Sequence, residues 1–183
     1  MSAIQTADRI LTACERVLSN IATTMMFLIM IIVVADVALR YFFNAPLAWS
    51  YELISLYLMV GLFFFSLSDT LRANAHVSVD LLQNYMSPRV RHFTEIIGYA
   101  CSSIVFAGIV YITTERTYIS WQGGDVVAGS IAWPTWLSSL AVPIGSALML
   151  LRMIFRFIGH TLSFVQNRSV IELPPVSGSE GVE

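Results

Sequence analysis

The sequence predicts an all-α integral membrane protein with four transmembrane helices, both termini cytoplasmic, and an interfacial amphipathic helix between spans two and three. Three observations carry that expectation. The chain of 183 residues is 56% hydrophobic and only 12% charged, with a mean hydropathy of +0.72, too little polar surface for a water-soluble domain. Four apolar runs are each long enough to cross a bilayer as a helix. The arginines gather in alternate connections.

The opening segment, MSAIQTADRILTACERVLSN, has charges spread along it and no apolar block ending at a small-residue cleavage site. It reads as retained cytoplasmic sequence. Val17 to Ala35 carries no charge and covers about 29 Å as a helix, close to the hydrocarbon thickness. The first span is placed at 17–38 and the second, built on LISLYLMVGLFFFSLS, at 52–71.

Between them lies ALRYFFNAPLAWSYELI, a hairpin corner. Asn44 suits a left-handed helix end, Pro46 prevents continuation, and the aromatics, Trp49 among them, suit the membrane interface. Arg40 is expected to pair with Asp36 one turn back or with Glu52 across the corner, since a guanidinium has donors for both. Arg40 and Glu52 are thereby expected to set the angle between the first two helices.

In HVSVDLLQNYMSPR the apolar residues Val77, Leu81, Leu82, Tyr85 and Met86 recur at helical spacing, which predicts an amphipathic surface helix over 77–86. His76 and Asp80 stand four apart, either bonded along that helix or solvated at its start. Ser87 followed by Pro88 opens the third helix, whose span is placed at 93–114. The glycine-rich WQGGDVVAGSIAW reads as a flexible loop, and Pro134 and the tryptophans of WPTW open the fourth span, 133–153. Beyond it Arg152, Arg156 and His160, four apart, are expected to meet the headgroups of membrane lipids. The whole makes one membrane domain over 1–165, followed by a tail, 166–183, whose prolines, glycines and acidic residues predict disorder.

Eight of the ten arginines fall at the termini or between spans two and three, and only Arg40 and Arg116 elsewhere. By the positive-inside rule both termini are cytoplasmic and the hairpin corner is periplasmic.

The same survey excludes functions. A net charge of -2 and the absence of lysine leave no basic face for nucleic acid. Cys14 and Cys101 form no CxxC pair and read as small packing residues. No ionisable residue lies near a span centre; Asp36, Arg40, Glu52, Asp69, Arg72, Glu95, Glu115 and Arg116 all sit at the ends, which argues against a proton relay. His76, His92 and His160 fall on the cytoplasmic side, outside the spans, as solvated or interfacial groups rather than haem ligands. With no nucleophile-elbow, phosphate-loop or zinc-protease motif, the chain is expected to be no enzyme, to hold no catalytic, cofactor or metal site, and to depend on a partner.

RYFFNAPLAWSYEL followed by an apolar span, then LRANAHVSVDLL, and the late WPTWLSSLAVPIGSALMLLR resemble the small membrane subunit of the tripartite ATP-independent periplasmic (TRAP) transporters over about residues 10–158. One position departs from the family: Tyr51 precedes a single Glu52 where members often carry two adjacent acidic residues. The resemblance implies a multi-pass protein of the bacterial inner membrane, a non-catalytic support for a large membrane subunit that moves organic acids with a sodium gradient. It also implies a periplasmic substrate-binding protein that the small subunit helps to dock. The alternative, from another class, is the membrane anchor of a redox enzyme.

Overall fold

Lipid leaves no water to satisfy backbone polar groups, so apolar runs of this length must form helices. The structure, a computed structural model, describes residues 3–73, 88–129 and 131–166. Four helices in it are long and apolar enough to cross a membrane: α1 (Ala3–Phe43), α2 (Ser50–Arg72), α3 (Pro88–Gly123) and α4 (Thr135–Gln166). The all-α, four-span expectation holds. The amphipathic helix at 77–86, His76, Asp80 and the tail beyond Gln166 lie outside the described residues.

The helices outrun the spans. α1 has 41 residues, roughly 62 Å at the α-helical rise and about twice the hydrocarbon thickness. Its first turns continue past the apolar run because Asp8, Thr12, Glu15 and Ser19 recur at spacings of four and three, one polar stripe along a helix. α3 starts at Pro88, where the serine–proline pair predicts, and its 36 residues reach roughly 54 Å.

Neighbours in space follow the order α1, α2, α4, α3. α1 packs on α2, α2 on α4, and α3 along α4, while α1 meets α4 much less. This is a row of helices, not a closed bundle. α4 is the hub: 39% of its most apolar stretch is buried, against 17% for α2 and 6% each for α1 and α3. Tyr99, Met149 and Met153 form the buried core, with Leu67, Leu71, Phe106 and Phe157 packed on it.

Two details set the packing. α2 contains a π turn over Ile54–Leu58, where the Met59 N–H reaches the Ile54 carbonyl five residues back. The extra residue turns the two halves of the helix by about 100° relative to an uninterrupted helix. Below the turn Gly61 and Ser68 are buried. α4 meets α2 at Gly145, where a methyl group would overlap the Phe64 carbonyl and lie 2.6 Å from its carbon and 2.8 Å from Phe64 Cβ. Only glycine allows that approach.

At the corner α1 ends as predicted. Asn44 takes a left-handed φ of 52°, and the Ala45 N–H bonds the Leu39 carbonyl at 3.3 Å, a closure that satisfies a terminal helix carbonyl. The glycine-rich connection between α3 and α4 departs from the flexible loop expected. Val126 and Pro134 form an antiparallel bridge, Val127 N–H bonds Trp133 O at 2.8 Å and Thr135 N–H bonds Asp125 O at 3.0 Å. Tyr57 of α2 donates to the Pro134 carbonyl at 2.6 Å and lies against Trp133. Gly124, at φ 63°, supplies the left-handed residue that lets the chain leave α3 into this hairpin.

Gly145→Ala is expected to destabilise the protein by about 1–3 kcal/mol, because the backbone of α2 must shift. Gly108→Ala, with nothing within 4 Å, is expected to be neutral or slightly stabilising. Thermal unfolding of the two variants in the same detergent compares them directly.

Candidate functional site

The polar side chains gather at the two ends of the row. At the end carrying the termini, Glu15 is 0% and Arg152 4% exposed. The Arg152 guanidinium grips the Glu15 carboxylate through both Nε, at 2.7 Å from Oε1, and Nη2. Its Nη1 donates to Asp8 Oδ1 at 2.7 Å and its Nη2 to Thr12 Oγ1 at 3.1 Å. The Ser68 hydroxyl donates to Glu15 Oε1 at 2.6 Å, and Arg72 Nε stands 3.6 Å from Glu15 Oε2. Arg72 also grips Asp69, at 2.6 and 2.9 Å, whose second oxygen accepts from Ser19 Oγ at 3.1 Å. α1, α2 and α4 are thus joined by one continuous polar network.

A second cluster follows on the α3 side. His92 of α3 and His160 of α4, 9% and 0% exposed, meet Nδ1 to Nδ1 at 3.1 Å. Tyr99 stacks on the His160 ring at 5.6 Å and 11°, and Arg156 Nη1 donates to the Tyr99 hydroxyl at 3.2 Å. The other arm of Arg156 donates to the Leu71 and Arg72 carbonyls at 2.9 and 3.0 Å. Those carbonyls belong to the last turn of α2, where helix carbonyls run short of intrahelical donors.

The headgroup reading of Arg152, Arg156 and His160 is therefore corrected. Four-residue spacing does put them on one face, but the face looks inward. The lipid-facing alternative would leave Glu15 buried without its counter-charge, and an unpaired buried charge is far more costly than a paired one. The solvated reading of His92 and His160 fails for the same geometric reason. The two ring nitrogens are in hydrogen-bond contact. Cys14 and Cys101, expected as small packing residues, are exposed on this chain. Among the described residues no three His, Cys, Asp or Glu side chains converge as metal ligands.

At the other end the corner is organised by Asp36. Its Oδ2 accepts from Arg40 Nη2 and its Oδ1 from the Leu47 N–H, both at 2.7 Å. Arg40 thus takes the partner one turn back. Ser50 closes the turn by donating its N–H and hydroxyl to Leu47 O at 3.1 and 2.8 Å. Asn44 and Pro46 are exposed, and Trp49 is half-buried. Glu52 lies against Gly129 of the α3–α4 connection, so closely that a methyl group there would overlap its carboxylate. The corner residues therefore divide between two contacts: Asp36 holds the hairpin, and Glu52 meets the far loop.

Glu15, Asp8, Thr12 and Ser68, which complete the central network, were not singled out from sequence. The signal was the polar stripe on the extension of α1, aligned with an arginine at matching depth on the last helix. Neither cluster offers a nucleophile beside a base or an open ligand position. What the arrangement does is hold helices together.

Residues 29–162 match the family described as "Tripartite ATP-independent periplasmic transporters, DctQ component". The chain is 28% identical over 120 residues, 66% of its length, to the C4-dicarboxylate TRAP transporter small permease protein DctQ of Rhodobacter capsulatus. It is 30% identical over 146 residues, 76% of its length, to the sialic acid TRAP transporter permease protein SiaT of Haemophilus influenzae (strain 86-028NP). The matched stretch makes up 50% of the first relative and 22% of the second.

Removing one member of the central pair should be severe. Arg152→Ala, which leaves Glu15 buried and uncompensated, is expected to lower stability by about 3–5 kcal/mol, whereas Glu15→Leu with Arg152→Met should recover most of the loss. A melting series of Glu15→Leu, Arg152→Met and the double variant measures the coupling. At the corner, Arg40→Ala is expected to cost less than about 1 kcal/mol, as for an exposed pair. Asp36→Ala strips the Leu47 N–H of its acceptor and should cost about 1–3 kcal/mol; equal melting points for these two variants would contradict the assignment.

Proposed function

The chain belongs to the DctQ-component family of tripartite ATP-independent periplasmic transporters, and from that premise we propose that it is the non-catalytic small membrane subunit of a sodium-coupled transporter for organic acids. Its place is the bacterial inner membrane, as a multi-pass protein. The observation that carries the reading is the contrast between satisfied polar groups and bare apolar faces. Every arginine of the central network is spent on internal carboxylates, hydroxyls or carbonyls, while only 6% of the apolar stretch of α1 and of α3 is covered. A row with two open apolar flanks supports a role as scaffold for a large membrane subunit.

The longer relative supports the same picture. A region similar to this chain occupies 22% of a single sialic acid permease, as expected if these helices work beside a larger membrane part. The two relatives are named for a C4-dicarboxylate and for sialic acid, both carboxylates at neutral pH, which motivates the organic-acid class. In this scheme the chain binds no cofactor; the sodium gradient is used by the partner subunit.

The arginine bias puts the network end in the cytoplasm and the corner in the periplasm. There Tyr41, Phe42, Phe43 and Tyr51 stand 73–83% exposed, beside the loop that Glu52 and Tyr57 meet. This end is the surface proposed to help dock the periplasmic binding protein, with Trp49 nearby as an interfacial anchor. The redox-anchor alternative has no comparable support, because the matched family and both relatives are transporters.

Proteoliposomes holding this chain alone are expected to take up neither a C4-dicarboxylate nor sialic acid. Uptake of one organic acid should appear, dependent on an inward sodium gradient, only when the large subunit and the binding protein are added. Sodium-dependent uptake by this chain alone would overturn the reading, and so would failure to co-purify with a larger polytopic protein from the native membrane.

A further inference from the structure

The His92–His160 pair is not explained by the role of a rigid scaffold. A hydrogen bond between two Nδ1 atoms needs one donor and one acceptor, so at least one imidazole must be neutral with a free Nδ1 lone pair. The burial of His160 decides which. Its Nε2 is buried with no hydrogen-bond partner among the described residues, and a buried N–H there would be an orphaned donor, the costly case. The His160 proton therefore sits on Nδ1 and is donated to Nδ1 of His92.

A further proton has two places to go. On His160 Nε2 it would form an imidazolium at 0% exposure, without an acceptor on that nitrogen. On His92 Nδ1 it can be shared with the neighbouring ring, an imidazolium donating to a neutral imidazole; only when both rings are charged do two N–H groups face each other, and the bond is then lost. The charged groups around the pair favour separation once it is charged. Arg91 of α3 acts on His92 and Arg156 of α4 on His160, while the carboxylate of Glu95 acts on Tyr99. From α2 the approach is made by the Leu71 and Arg72 carbonyls, and the Arg72 guanidinium is held by Asp69.

We propose that His92 and His160 form a proton-sensitive latch that holds the ends of α3 and α4 together while at least one imidazole is neutral and releases them when both are charged. Release is passed on through the residues already in contact. Tyr99 stacks on His160 and is bonded to Arg156, and Arg156 caps the end of α2. The latch therefore couples pH at this end of the protein to the position of α3 relative to α2 and α4. It does not depend on the identity of the transported acid or on the partner subunits.

The test uses the full chain in lipid nanodiscs, with Cys14 and Cys101 replaced by serine and spin labels at Val90→Cys and Ile158→Cys, both exposed positions near the pair. The inter-label distance is expected to shift reversibly to longer values as the pH falls from about 7 to about 4, below the ordinary histidine range, because burial and the neighbouring Arg91 and Arg156 disfavour the charged rings. The shift should be absent in His92→Gln, whose amide stays uncharged. A constant distance in the parent, or the same shift in His92→Gln, overturns the latch. Should His92→Gln fail to fold, nitrogen NMR of the parent with isotope-labelled histidine replaces it. Coupling between two Nδ1 nuclei at the higher pH and its loss at the lower supports the latch; coupling at both or at neither overturns it. A zinc-dependent rise in melting temperature that His92→Gln removes would make the pair a metal chelate and would also overturn it.

Discussion

A guanidinium and a carboxylate buried among helices have no water to turn to, and the contact between Arg152 and Glu15 is how this protein resolves that constraint. Each is tolerable there only because the other is present and because Asp8, Thr12 and Ser68 take up the remaining donors and lone pairs. The consequences spread outward. α1 must extend well past its apolar run to bring Glu15 and Asp8 to the depth of Arg152. α2 must present Ser68 between them, and it does so below the π turn that resets its face. Gly145, three residues before Leu148, whose carbonyl stands 3.4 Å from the Ser68 hydroxyl, lets α2 and α4 approach closely enough for the contact to close.

Because polar contacts are concentrated at the ends, the middle of the row is left to apolar packing, and little of that is within the chain. α4 is covered from both sides, while α1 and α3 each keep a wide face bare. In lipid such faces are not unstable, since hydrocarbon chains are as apolar as the side chains. They are available to another membrane protein without any rearrangement of this one. Membership of a transporter family and the lack of a catalytic constellation among the described residues fit together on that basis. In the proposed scaffold role the helices act through shape and position, and their charged groups serve that shape. The histidine pair stands apart, since it joins α3 to the rest through a bond that exists in only some protonation states.

Much of the fold was legible because lipid imposes simple rules. Asn44 and Pro46 announced the end of α1, Ser87 and Pro88 the start of α3, and the apolar runs the number of spans. The direction in which Arg152, Arg156 and His160 point was not legible. A four-residue spacing identifies a shared face and leaves open whether that face meets lipid headgroups or another helix. Arg40 met the same limit: both Asp36 and Glu52 were open to it, and the hairpin geometry gave Asp36 to Arg40 and Leu47. Glu52 met instead a loop 77 residues further on, which no local pattern predicts. The order of the glycine-rich connection was hidden too, because its bonds to Tyr57 cross between elements.

What the sequence determined by itself was the class, the number of spans and their ends, because hydropathy, helix length, caps and prolines act over a few consecutive residues. Only the tertiary structure decided the row order α1, α2, α4, α3, the inward turn of the last helix's basic face and the meeting of His92 with His160. Those outcomes depend on which charged groups reach one another across the fold. Glu15 and Arg152 are 137 residues apart, and their energy becomes available only when both helices, and α2 between them, are in place.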